Sequence, residues 1–98
     1  MVRIYQELYK ANEIGSKRLE IKPNVGLLRI EINGSGTLVA KGVLDKDSTP
    51  YLISAIKCAD YSKVTSMSEA GLYILEVSGL RYIDFELSGS ATVNLKQV

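Results

Sequence analysis

Few side chains in this 98-residue sequence could carry chemistry, and the largest gap decides much of the reading: there is no histidine. That removes the commonest general base, the commonest imidazole metal ligand and the usual near-neutral proton switch together. Cys58 therefore has no imidazole to activate it, and a triad of the usual nucleophile–base–acid kind cannot be assembled. A buried or half-buried structural thiol is the plainer reading of a single free cysteine. One cysteine and no histidine also leave zinc without ligands. Carboxylates remain, and glycoside hydrolysis needs only two. The candidate pairs are Glu31 with Glu86 and Asp84 with Glu86, although alternation along an exposed strand face accounts for all three. Asp45, Asp47 and Asp60 offer oxygen ligands of the kind calcium takes. Asp45-Lys46-Asp47 lacks the acidic density and downstream glutamate of an EF-hand loop, and reads as a solvated loop. Asn33-Gly34-Ser35-Gly36 resembles a phosphate-cradling loop only in its glycines: it lacks the Gly-Lys-Ser/Thr ending and opens a strand rather than a helix. No catalytic residue, cofactor or metal is expected.

The tyrosines are more informative. There are six, against one phenylalanine and no tryptophan. Tyrosine joins a large apolar body to a polar tip, which suits protein interfaces and sugar-stacking surfaces. Tyr5, Tyr9 and Tyr51, together with the outward-reading Val39, Val43 and Ile53, form the expected protein-contact surface, because apolar residues on the solvent side of a small sandwich mark a partner. An alternative set, Tyr82 with Asp84, Glu86 and Asn94, could stack on a sugar ring and take its hydroxyls.

These residues sit on a repeated plan. In Leu28–Lys41, Leu28, Ile30 and Ile32 alternate with Arg29, Glu31 and Asn33, the period of a half-buried strand. The Asn33–Gly36 stretch then tolerates the positive φ of a narrow hairpin, and a second strand follows. Ile83–Lys96 aligns with this stretch without a gap, 55 residues on: Glu31 falls on Glu86, Gly34 on Gly89, Ser35 on Ser90, Thr37 on Thr92 and Lys41 on Lys96. Leu38 and Ala40 match Val93 and Leu95 and are expected to face the core.

Elsewhere, Lys17–Lys22, Tyr51–Lys57, Tyr61–Val64 and Leu72–Val77 read as strands, with both faces of Tyr51–Lys57 apolar. Val2–Ala11 fits either a strand or a helix, and its early β-formers tip it to a strand. About eight short strands spaced by Gly, Asn, Ser and Pro turns give an all-β fold, a jelly-roll-like antiparallel β-sandwich with two similar Gly-Ser hairpins. One domain is expected over residues 1–98, with residues 1–14 as an N-terminal arm or edge strand.

Twelve basic against eleven acidic residues leave a net charge of +1, and no basic run exceeds Lys17-Arg18. Neither nucleic acid nor a membrane surface is an expected partner. No apolar run is long enough to span a bilayer, Met1–Ile4 leads into alternation rather than a signal-peptide core, and one cysteine cannot form an internal disulfide. A reducing compartment is expected.

From Gly71 through Val93 the sequence GLYILEVSGLRYIDFELSGSATV resembles the closing portion of small bacteriophage virion modules, in which a G-x-Y-x-x-x-V-x-G-L strand and turn leads to a hairpin with a small-residue turn and T-V. Arg18-Leu19-Glu20-Ile21-Lys22-Pro23 and the first hairpin fit the opening half, so the resemblance covers residues 15–98. Arg81 follows the second Gly-Leu as in those modules, whereas Tyr82 and Asp84 depart from their more basic pattern. The resemblance implies a jelly-roll-like sandwich serving as a decoration, head-fibre or tail-attachment part of a virion, with no catalytic residues. The expectation is a non-enzymatic virion protein, assembled in the bacterial host cytoplasm, that binds other virion proteins. A homo-oligomer, dimer or trimer, is expected because the Tyr51–Lys57 strand and a sheet edge would otherwise stay exposed. The alternative function is a carbohydrate-binding module or host-surface glycan-binding domain. A small glycosidase-like enzyme is the third reading, and short loops hardly provide its cleft.

Overall fold

A computed structural model describes the backbone of residues 4–11 and 13–98, and side chains from Gln6 onward except Asn12. Ten strands are found there and no helix: β1 (Ile4–Tyr9), β2 (Gly15–Glu20), β3 (Leu27–Asn33), β4 (Gly36–Val43), β5 (Tyr51–Leu52), β6 (Ala55–Lys57), β7 (Lys63–Val64), β8 (Gly71–Glu76), β9 (Tyr82–Gly89) and β10 (Thr92–Gln97). They form two antiparallel sheets, one in the order β1-β10-β3-β8-β6-β7 and the other β2-β9-β4-β5. Without the small β6–β7 hairpin, four strands face four in the winding of a jelly roll. Val2 and Arg3, at the start of the expected N-terminal strand, lie outside the described residues. The strand resolves the Val2–Ala11 ambiguity from Ile4 onward, with β1 at a sheet edge.

The two glycine-serine turns are the point at which the sequence expectation needs correction. They do not close hairpins. β3 lies in the six-stranded sheet and β4 in the four-stranded one, while β9 and β10 cross the other way. Each turn is a corner from sheet to sheet, and each strand pairs with its counterpart's neighbour: β3 with β10 and β4 with β9. A corner needs the same small, positive-φ residues as a hairpin, so local composition cannot separate the two.

The corners stack on one another. Ser90 N–H donates to Ser35 O at 2.8 Å, and a Cβ on Gly89 would stand 2.6 Å from the Gly36 Cα. Glycine is also favoured there by φ, +97° at Gly89 and +95° at Gly34.

The 55-residue repeat appears here as an approximate internal two-fold. Thr37 stands opposite Ser88, and its counterpart Thr92 stands opposite Asn33, the counterpart of Ser88. Arg81 N–H donates to Val43 O at 3.0 Å, matched by Gly26 N–H to Val98 O at 3.1 Å. β2 and β8 join the scheme with one extra residue of offset, so Arg18 opposite Asp84 corresponds to Ile74 opposite Arg29. The unit β2-β3-β4 thus recurs as β8-β9-β10, each unit supplying strands to both sheets.

Alternate residues of these strands fill one core. Leu28, Ile30, Leu38, Leu75, Ile83, Val93 and Leu95 are almost wholly excluded from solvent, with Leu38, Ala40, Val93 and Leu95 inward as the repeat requires. Such burial is the main favourable contribution to a sandwich of this size.

Three further expectations change. Tyr51–Lys57 is not one strand: β5 pairs with β4 in one sheet, and β6 pairs with β8 in the other. The chain changes sheet at Ile53-Ser54, which is why neither face reads as consistently polar. Tyr9, expected at the surface, is buried, because the ladder slips between Glu7 and Tyr9 and breaks the simple alternation. Leu8 and Tyr9 consequently both join the core. Val43, also expected outside, is fully buried at the end of β4. It stands opposite Tyr82, and its carbonyl holds the Arg81 amide.

Candidate functional site

The outer face of the four-stranded sheet carries a connected set of polar contacts. Arg18 of β2, Asp84 of β9 and Lys41 of β4 stand in one cross-strand row. The Arg18 Nε and Nη2 donate to the two Asp84 carboxylate oxygens at 2.7 and 2.9 Å, the fork-to-fork geometry that makes guanidinium–carboxylate pairs strong. These hydrogen bonds, with the charges of Arg18 and Lys41, hold the Asp84 carboxyl below the usual carboxylate range against a smaller opposing effect of burial. Arg18 also lies over the Tyr82 ring at 4.9 Å, with Arg81 at 5.4 Å. Arg81 Nε donates to the Tyr82 hydroxyl at 3.2 Å and its Nη1 approaches Asp45 at 3.6 Å. A surface depression of about 450 Å³ lies among Arg18, Val39, Lys41, Asp84 and Glu86. An aspartate bound at both oxygens by arginine is a structural cross-link between β2 and β9 rather than a free proton acceptor.

The sequence-derived residues are dispersed. Tyr51 is 71% exposed, beside Leu52 at 53%. It shares a depression of about 530 Å³ with Leu44, the half-buried Ile53 and Leu80. Val39 is half-buried on the outer face of β4. Tyr9 and Val43 are interior and cannot contribute to a surface, and the side chain of Tyr5 lies outside the described residues. Tyr9 instead donates its hydroxyl to Gly15 O at 2.6 Å, under Lys17 Nζ at 4.8 Å from its ring centre. Burial first, then the charges of Glu86 and Glu13, push its pKa up to about 12.

The alternative glycan set does not form one surface. Tyr82, Asp84 and Glu86 project from the outer face of the four-stranded sheet, whereas Asn94 belongs to β10 in the other sheet. Glu31 and Glu86 are likewise on different sheets, so no carboxylate pair forms there. Among the described residues no three His, Cys, Asp or Glu side chains gather to hold a metal. Asp60 accepts from the Ser62 amide and hydroxyl within its own turn at 3.1 and 2.7 Å. Cys58 is a half-buried free thiol whose amide donates to Leu72 O at 2.9 Å.

Sequence reasoning passed over the outer face of the six-stranded sheet. There Lys96 of β10 and Arg29 of β3 stand directly opposite one another, followed in the same row by Ile74 of β8 and Ile56 of β6. The adjacent row holds the exposed Glu7 of β1, then Asn94, Glu31 and Leu72. Asn94 Nδ2 donates to Glu31 Oε1 at 3.3 Å. Leu72 is 57% exposed, and Ile74 and Ile56 are half-buried. The signal that could have found this face was the match of Lys41 to Lys96: the row that contains aspartate in one unit contains arginine in the other.

No protein-family model matches the chain, and no curated protein matches it by sequence. Its fold does match two solved structures end to end. The SPBc2 prophage-derived protein YomS superposes with a TM-score of 0.79 over 98% of this chain and 92% of its own, at 17% identity. The PBSX exported protein XepA superposes with a TM-score of 0.76 over 99% of this chain, at 15% identity. The chain spans 38% of XepA, so it matches only part of that protein. The fold is shared; most of the sequence is not.

Proposed function

We propose that the chain is a non-enzymatic structural component of a bacteriophage particle, which binds other particle proteins and associates with copies of itself. The observation that carries the proposal is the end-to-end match of its jelly roll to two phage-derived proteins. The virion-like pattern through Gly71–Val93 agrees with it, and so do the exposed apolar residues Leu44, Tyr51, Leu52 and Leu72, which a partner would cover. A decoration, head-fibre or tail-attachment role suits a compact sandwich with short loops. No common surface favours the glycan reading, because Arg18 and Arg81 already lie over Tyr82 and Asn94 lies on the other sheet.

The test is quantitative mass spectrometry of gradient-purified particles from the strain that encodes the chain, beside its cytoplasmic and medium fractions. The expected result is co-migration with head or tail proteins at fixed stoichiometry. Recovery of the chain only as free protein, in the cytoplasm or in the medium, would overturn the structural assignment.

A further inference from the structure

We propose that the outer face of the six-stranded sheet binds a second copy of this chain, face to face, about a two-fold axis running across the strands between the Arg29 row and the Glu31 row. This names the surface for the self-association proposed above and rests on that reading. The two rows are one pleat repeat apart, roughly 7 Å along the strands. Rotation about such an axis reverses direction along the strands and keeps position across them. Glu31 then meets the partner's Arg29 and Arg29 meets the partner's Glu31. By the same operation Asn94 meets the partner's Lys96, and Leu72 meets the partner's Ile74.

Three observations support this occupant. Lys96 and Arg29 are like charges directly opposite one another, an arrangement that destabilises a sheet unless something supplies an anion. Neither takes part in an ion pair among the described residues, where the pairs are Lys17–Glu13, Arg18–Asp84, Lys57–Glu69 and Arg81–Asp45. Beside these charges, Leu72, Ile74 and Ile56 form an apolar strip facing water. A free anion would satisfy only the two cations. A second copy supplies a carboxylate to Arg29, an amide oxygen to Lys96 and apolar surface to the strip in one operation. A stable interface takes roughly 800 Å² from each partner, a modest share of the 5896 Å² surface of this chain. Sheet twist sets two such faces at about 30° to each other, so contact is closest near β3 and β8 and opens towards β1.

Sedimentation equilibrium on the full chain tests the arrangement, with circular dichroism confirming that each variant is folded. The wild type is expected to dimerise, more weakly as salt rises. Arg29→Glu alone and Glu31→Arg alone each place like charges across the axis, twice by symmetry, and are expected to raise the dimer Kd roughly tenfold or more. The double variant R29E/E31R restores opposite charges across that axis and is expected to recover dimerisation. An oligomer that neither single variant weakens would overturn this face while leaving self-association through another surface. Loss in both single variants without recovery in the double would overturn the axis. A monomeric wild type would overturn self-association itself, and the particle measurement above would still decide the structural role separately.

Discussion

The units β2-β3-β4 and β8-β9-β10 share a backbone plan and differ in how their outward residues are satisfied. On the four-stranded sheet, the central row runs Arg18, Asp84, Lys41, and the acid is held between two bases. The equivalent row on the six-stranded sheet runs Ile74, Arg29, Lys96, with two bases and no acid. One row holds a bidentate ion pair between its strands; the other leaves two like charges beside apolar surface. The duplicated fold fixes where these side chains stand, and single-residue differences decide whether a face is internally satisfied.

The corners test how far the two units are equivalent, and they give the largest expected effect. Gly34 and Gly89 occupy matching positions with nearly the same positive φ. A Cβ at Gly89 would meet the Gly36 Cα at 2.6 Å and Ser35 O at 2.9 Å, whereas at Gly34 the nearest atom is the Ala91 Cα at 3.5 Å. Backbone strain is common to both, and collision is particular to one. Gly89→Ala is expected to destabilise the fold by roughly 3 kcal/mol, and Gly34→Ala by about 1 kcal/mol, in urea denaturation. Equal losses would mean that the corners are not stacked as described.

The flanking strands differ in the same manner. β1 borders β10 and β5 borders β4, yet Tyr9 is buried and hydrogen-bonded while Tyr51 is exposed. Tyr9→Phe is expected to cost about 1 kcal/mol, the usual net worth of such a bond, and Tyr51→Ser at most a few tenths in the monomer. The pH dependence has a definite sign. The Tyr9 pKa is raised to about 12 in the fold from about 10 unfolded. Its contribution is therefore fully present below about pH 10 and is lost as pH rises through 12. Alkaline denaturation curves of wild type and Tyr9→Phe are expected to converge across that window.

Much of the architecture was legible because sandwich strands impose a period of two, and the repeat imposed it twice. The inward positions Leu38, Ala40, Val93 and Leu95 followed from alignment alone. Sheet membership did not, because it is settled by pairings such as Leu38 with Leu87 and Ile30 with Leu95, far apart in sequence. The slip that buries Tyr9 carries no glycine to announce it. Of the candidate contact residues whose side chains are described, only the exposed Tyr51 with its neighbour Ile53 forms a surface group. Arg18 and Asp84, 66 residues apart, meet only once the β2–β9 register is known.

That ion pair supplies an effect of similar size to the Tyr9 hydrogen bond. The Asp84 carboxyl, about a quarter exposed, is held below its ordinary pKa by Arg18. A depressed folded pKa contributes stability above the unfolded value, near 3.9, and that contribution is lost as pH falls through the lower folded value. Asp84→Asn is expected to lose about 1 kcal/mol at neutral pH, since one side of the pair remains in water. The difference from wild type should shrink below about pH 4. A constant difference down to strongly acidic pH would show that the loss is one of packing and not of charge.

The smallest change in monomer stability comes from giving the second face the residue of the first. Arg29→Asp places a carboxylate opposite Lys96 where a guanidinium stands now, reproducing the Asp84–Lys41 neighbourhood on the other sheet. An opposite-charge cross-strand pair replaces a like-charge one, so the monomer is expected to gain roughly 0.5 kcal/mol. The same substitution removes the cation that would meet the partner's Glu31, so dimerisation is expected to weaken as the monomer becomes more stable. Opposed changes, read by urea denaturation at a concentration where the chain is monomeric and by sedimentation, would separate a role in association from a role in folding. If both fall together, Arg29 supports the sheet itself, and the two faces differ less than their charges imply.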